Sequence, residues 1–174
     1  MDKRMIANQK VKDSLLEALV QLAKENTWSS ITITALIQRS GVARSSFYRN
    51  FTSLEDIVDY GISQMSQKYN QENPSPDEDF RSKELMYFKF RFFKENADRL
   101  LTFHHAKTPQ TLLAVINDFV VEAYGDMPSS SISKYELYYY SGAFYNMVIH
   151  WLEDGAKERP EDMAEEFLRI TNAV

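Results

Sequence analysis

The sequence contains no cysteine, which removes disulfide staples, cysteine-ligated zinc, iron–sulfur clusters and thiol nucleophiles at once. Glycine and proline are scarce, five of each, and that argues against collagen-like, disordered and turn-rich all-β chains. No stretch approaches the roughly 18 uncharged apolar residues of a membrane-spanning helix. The opening MDKRMIANQKVKD has no apolar run behind its charges, so it does not read as a secretory signal. Catalytic signatures are missing as well: there is no P-loop, nucleotide-binding glycine pattern, Gly-x-Ser-x-Gly elbow, zinc motif or paired-carboxylate arrangement. No catalytic residue is assigned, and an enzyme is the class rejected. Histidine is limited to His104, His105 and His150. The first two are adjacent and cannot share a helical face, so neither a metal nor another cofactor is expected. What these absences leave is a soluble, cytoplasmic protein with no membrane partner.

What is present is ordinary globular material: 174 residues, 44% apolar and 26% charged, with a formal charge of −5. That length suits one compact domain, or a small domain joined to a helical partner. The charge is divided unevenly. Residues 1–52 carry eight basic and four acidic residues, a net +4, and residues 53–174 carry 12 basic and 21 acidic, a net −9. A basic contact surface on an acidic body produces this pattern, and so does a solvated helical face.

The apolar period is helical almost everywhere. Val11, Leu15, Leu19 and Leu22 form one stripe on a first helix ending near Asn26. Thr32 caps a short second helix that turns Leu36 and Ile37 inward, and Gly41 is the left-handed residue expected just past its last turn. A short third helix places Phe47 and Phe51 four apart, and Ser53 caps a fourth helix carrying Ile57, Val58, Ile62, Met65 and Tyr69. NPSPDED at residues 73–79 is the clearest boundary, because its prolines cannot lie inside a continuing helix. The domain junction falls around the end of the fourth helix. Beyond it come ELMYFKFRFFKEN, LLTFHH, a helix opened by Thr108-Pro109 and closed by Gly125, a long helix ending at Gly155, and a last one opened at Arg159-Pro160. No strand alternation or internal repeat occurs, so the predicted class is all-α with about nine helices.

Chemistry is concentrated in TITALIQRSGVARSSFYRNF, residues 32–51. A short helix, a glycine-containing turn and a second short helix make a helix-turn-helix, whose second helix offers its N-terminal side chains to the DNA major groove. Phe47 and Phe51 belong to the core face, and Arg44, Ser45, Ser46, Tyr48, Arg49 and Asn50 point largely away from it. A guanidinium fork at Arg44 matches guanine O6 and N7, and Ser45 or Ser46 reaches base edges or phosphates. Tyr48, Arg49 and Thr34 are better placed for phosphates, which fix register without carrying sequence information.

ITITALIQRSGVARSSFYRNFTSLEDIV resembles the TetR (TetR/AcrR) family of transcriptional regulators. The likeness lies in the threonine opening the second helix, Gly-Val at the turn, Phe-Tyr in the recognition helix, and Phe51 followed by Ser53 and Glu55. It implies an N-terminal three-helix DNA-binding domain, assigned to residues 1–53, and a helical effector-binding and dimerisation domain over 54–174. The implied partners are double-stranded operator DNA, a second copy of the chain and an unidentified small-molecule effector, with repression as the common mode. The DNA-contacting set is Thr32, Thr34, Arg44, Ser45, Ser46, Tyr48, Arg49, Asn50, Lys3 and Arg4. YSGAFYNMVIHWLEDGAKERPEDMA is similar to the C-terminal end of a short-bodied subset of the family. Two departures stand out: Ala43 replaces a common hydroxyl cap on the recognition helix, and Leu54 a common phosphate-contacting lysine. A free N-terminal arm with Lys3, Arg4, Lys10 and Lys12 is expected to supply the missing phosphate contacts.

In the body, Phe88, Phe92, Phe103, Phe119 and Tyr145 are the expected lining of an apolar effector cavity. Tyr138, Gly142, Trp151, Met163 and Phe167 are expected at a dimer interface, on the ground that a monomer leaves Trp151 and its neighbouring tyrosines short of partners. One alternative stays open at this point, a regulator whose C-terminal domain answers to a protein partner instead of a small molecule. A purely helical interaction module is argued against by Arg44, Tyr48 and Arg49 on one exposed face.

Overall fold

Thr32, Gly41 and Ser53 punctuate the N-terminal third of the chain into short helices. The computed structural model describes residues 3–73, 82–106, 112–114, 116–117 and 134–171. Eight α-helices lie wholly among them: α1 (Lys3–Glu25), α2 (Ile33–Ser40), α3 (Arg44–Asn50), α4 (Leu54–Glu72), α5 (Lys83–Glu95), α6 (Ala97–His105), α7 (Lys134–Glu153) and α8 (Pro160–Thr171). Residues 112–114 and 116–117 are helical too, and no strand occurs among the described residues. The class is all-α, as the period predicts. Thr108, Pro109 and Gly125, the expected limits of one further helix, lie outside the described residues.

Contacts divide the chain into two units, Met1–Lys68 and Tyr69–Val174. In the first, α1 packs on α2 and α3. Leu15, Leu19, Leu36, Phe47 and Ile57 are fully buried there, and the expected α1 stripe forms its spine. The Thr32 hydroxyl accepts from the Ala35 amide at 3.1 Å, and Gly41 ends α2 at φ 67 with its amide on the Ile37 carbonyl. Ser53 and Asp56 cap α4 reciprocally. The Ser53 hydroxyl accepts the Asp56 amide at 3.1 Å, and the Asp56 carboxylate accepts the amides of Thr52 (2.6 Å) and Ser53 (3.1 Å) and the Thr52 hydroxyl (2.6 Å). Those donors hold the Asp56 carboxyl below its usual range.

In the second unit α5 is apolar on more than one face. Phe88 and Phe92 pack around Tyr69, with centroids 5.2 and 5.3 Å from its ring. Phe90, also on α5, meets Phe144 at 5.2 Å, Trp151 at 5.7 Å and Phe167 at 6.3 Å, joining α5 to α7 and α8. A Schellman turn closes α7. Ala156 N–H donates to the Trp151 carbonyl (2.8 Å) and Gly155 N–H to that of Leu152 (3.0 Å), with Gly155 at φ 89 and Ala156 at φ 48. The Lys94 ammonium clamps this corner, donating to the carbonyls of Ala156 (2.8 Å) and Glu158 (3.2 Å) while lying over the Trp151 ring.

Candidate nucleic-acid interface

The turn between α2 and α3 sets where α3 points. Gly41 supplies the left-handed step, and the Ser40 hydroxyl donates to the Ile37 carbonyl (3.2 Å) and accepts the Val42 amide (3.3 Å). Ala43 starts α3 with no side-chain cap, as its methyl requires. Its carbonyl still accepts the Phe47 amide at 3.1 Å. Phe47 then locks the helix from beneath, fully buried and 5.0 Å edge-on to the Tyr48 ring.

On the other face Arg44, Ser45, Tyr48 and Arg49 are exposed, Tyr48 by 51%. Arg44 and Tyr48, one turn apart, form a pair: the guanidinium lies 5.7 Å from the ring centroid and an Nη donates to the phenol oxygen at 3.4 Å. A planar cation stacked on a ring is held near one rotamer, so less side-chain freedom is lost when its fork meets a planar acceptor. Thr34 is exposed in the first turn of α2, whose N-terminal amides favour anions. Thr32 is exposed as well, and because its oxygen is already used as an acceptor in the cap, its O–H remains as a donor.

The structure separates the rest of the expected set from this face. Ser46 is half-buried, and the Asn50 side-chain amide folds back onto the Ser46 carbonyl at 2.9 Å. The N-terminal arm is corrected: α1 is already helical from Lys3, so Arg4 and Lys10 are exposed on a helix and are not part of a free arm. Lys12 is turned toward the Tyr60 and Phe51 rings, 5.4 and 6.0 Å from their centroids. Leu54 is 9% exposed and serves the core.

One pair escaped sequence reading. Both terminal nitrogens of Arg39 bond the Glu25 carboxylate, at 3.0 and 2.6 Å, tying the end of α1 to α2. These bonds lower the Glu25 carboxyl and raise the Arg39 guanidinium from their ordinary values. The two residues are fourteen apart across a turn, a spacing no helical rule picks out.

In the body, the structure describes four of the five residues foreseen for an effector. Phe88 and Phe92 are buried around Tyr69, and Phe103 is buried on α6. Tyr145 is half-buried on α7 with its hydroxyl 2.6 Å from His104 Nδ1. Phe119 lies outside the described residues. Of the residues foreseen at a dimer surface, Tyr138 is exposed, and Gly142 and Met163 are half-buried. The expectation for Trp151 and Phe167 is corrected. Both are buried inside a single chain, 4% and 1% exposed, with Phe90 against each.

Comparison with known proteins agrees with this layout. The TetR C-terminal family model, described as "Transcriptional regulator C-terminal region", matches residues 81–173. No curated protein matches the chain. Among solved structures, the crystal structure of a TetR transcriptional regulator from Streptococcus agalactiae is similar, with a TM-score of 0.67 at 20% identity over 97% of each chain. At that identity the likeness speaks for the fold.

Proposed function

The chain belongs to the TetR-type transcriptional regulators, and from that membership we propose that it is a homodimeric repressor released from a near-palindromic operator by a small apolar or amphipathic effector. One observation carries the DNA-binding part: α3 buries Phe47 and exposes Arg44, Ser45, Tyr48 and Arg49 on its opposite face. Arg44 reads guanine O6 and N7, and Arg49 and Thr34 hold phosphates. Residues 1–53 carry this contact, and residues 54–174 carry effector binding and dimerisation.

The exposed Tyr135, Tyr138 and Tyr139 on α7 support a partner surface. So does the space beside Gly142, where among the described residues no atom outside its own helix backbone and chain neighbours would lie within 4 Å of an added methyl group. For two recognition helices to meet successive major grooves, the proposed dimer must present them about 34–36 Å apart, one turn of the duplex. The effector is assigned to Phe88, Phe92, Phe103 and Tyr145, and a coupling of about 1–3 kcal/mol corresponds to roughly 5- to 150-fold weaker operator binding. A second reading, in which a protein partner takes the effector's place, is favoured by the same exposed tyrosines.

Binding-site selection followed by fluorescence anisotropy on selected and random duplexes tests the proposal. Arg44→Ala is expected to cost about 1–3 kcal/mol on the selected site alone, and Arg49→Ala to weaken both duplexes alike. Equal losses on the two duplexes for Arg44→Ala would remove its base-reading role.

A further inference from the structure

Adjacent histidines cannot share a face of their own helix, but a site completed by a second helix does not ask them to. His105 is the last residue of α6 and Glu153 the last of α7. Their side chains meet with His105 Nε2 3.2 Å from Glu153 Oε1. A ring nitrogen of His104 joins them, so that one atom from each of the three residues lies within 4.8 Å of the other two. His150 Nδ1 stands 3.2 Å from the other carboxylate oxygen, Glu153 Oε2. The chain has three histidines in all, and each is within this one cluster.

We propose that His104, His105 and Glu153 form a binding site for a divalent transition-metal ion of the zinc class, where the C-terminal ends of α6 and α7 converge. Ligand atoms around tetrahedral zinc, with bonds of about 2.0–2.2 Å, stand roughly 3.3–3.5 Å apart. The His105–Glu153 pair is within about 0.1 Å of that spacing, and rotation of the exposed His105 and Glu153 side chains toward the His104 ring closes the set. Two imidazoles with a single carboxylate select a zinc-class ion over calcium or magnesium, which require oxygen-rich shells.

Three further features favour a cation at this point. The last carbonyls of two helices carry the negative ends of both macrodipoles, and opposing like poles are relieved by positive charge between them. The Tyr145 hydroxyl, 2.6 Å from His104 Nδ1, fixes the orientation of that ring, as outer partners do for metal-bound imidazoles. His150 orients the carboxylate from its far side.

The experiment uses the full chain, free of any affinity tag and stripped of metal by chelation, titrated with Zn2+ in a calorimeter. One equivalent per chain is expected, with a Kd of about 10 μM or tighter. His105→Ala and Glu153→Gln should each weaken binding by about tenfold or more. These positions are partly exposed, so circular dichroism should show both variants folded. His150→Ala, which removes only a contact to the carboxylate, should weaken binding less than either. Co2+ in place of Zn2+ should give the visible absorption of a four-coordinate ion, and lose it in Glu153→Gln. Absence of binding, binding that survives both substitutions, or a larger loss in His150→Ala would overturn the proposal.

Discussion

The two units are built from different material. In the unit Met1–Lys68 the largest fully buried side chains are Phe47 and the aliphatic Leu15, Leu16, Leu19, Leu36 and Ile57. In the unit Tyr69–Val174 they are led by Phe90, Phe92, Phe103 and Phe167. Past α1, the first unit sets its helix ends locally, by Thr32, Gly41 and the Ser53–Asp56 box. The second is held by rings that meet across long stretches of chain, such as Phe90 with Phe167. Under the proposed function, a head that presents side chains to a regular duplex gains from fixed helix ends, because the N-terminal residues of α3 are the ones assigned to reading. The rings of the body add about 0.5–1.5 kcal/mol per pair beyond the area they bury, and under the proposed function they also supply large apolar faces to an effector.

Trp28 lies in the first unit and Trp151 in the second, so single-tryptophan variants report the two separately. The largest effect is expected from Phe90→Ala, which removes a ring shared by α5, α7 and α8 and should cost about 3–5 kcal/mol. In urea the Trp151 transition should shift strongly while that of Trp28 stays in place. Coincident shifts would break the comparison, because the units would then unfold as one. Lys94→Met comes next. It leaves the carbonyls of Ala156 and Glu158 without their charged donor and should cost about 1.5–3 kcal/mol, again in the Trp151 signal. The smallest effect belongs to the head: Ser53→Ala should cost about 1 kcal/mol and appear with Trp28.

Acid sharpens the same contrast. The Asp56 carboxyl is lowered in the folded chain, so its contribution is complete above the unfolded carboxyl pKa of about 4 and is lost as pH falls through the folded value. Head stability measured by Trp28 should decline on that acid limb, and Asp56→Asn should flatten it. An unchanged acid limb in Asp56→Asn would show that other carboxylates govern it.

The head was largely legible in the sequence because its decisive features are local. Thr32, Gly41 and Ser53 act on amides and carbonyls a few residues away, and the Phe47/Arg44 split follows from helical period alone. Asn50 defeated that reasoning: period places it on the polar face, but its amide finds the Ser46 carbonyl one turn back. In the body, period identifies apolar faces without naming what covers them. Trp151 and Phe167 therefore read equally well as interface or core, and only the packing of α5 between α7 and α8 decides for core. The histidine cluster was hidden for a related reason, since spacing rules speak of one helix and Glu153 comes from another. Arg39 and Glu25 are joined across a turn whose shape had first to be known.

The corner at Gly155–Ala156 has a consequence for how the gene can vary in length. Between the end of α7 and Pro160 the chain is held at three points, by the Schellman bonds to Trp151 and Leu152 and by Lys94. This leaves no slack to absorb an added residue. A one-residue insertion after Pro160 would turn the rest of α8 by about 100°. Phe167 would leave the ring cluster of Phe90, Tyr140 and Phe144, and its place would pass to Glu166. Indels are therefore disfavoured from this connection into the first turn of α8, despite the exposed surface position. An alignment of descendants of this gene should show it ungapped, with substitutions accumulating instead of changes in length.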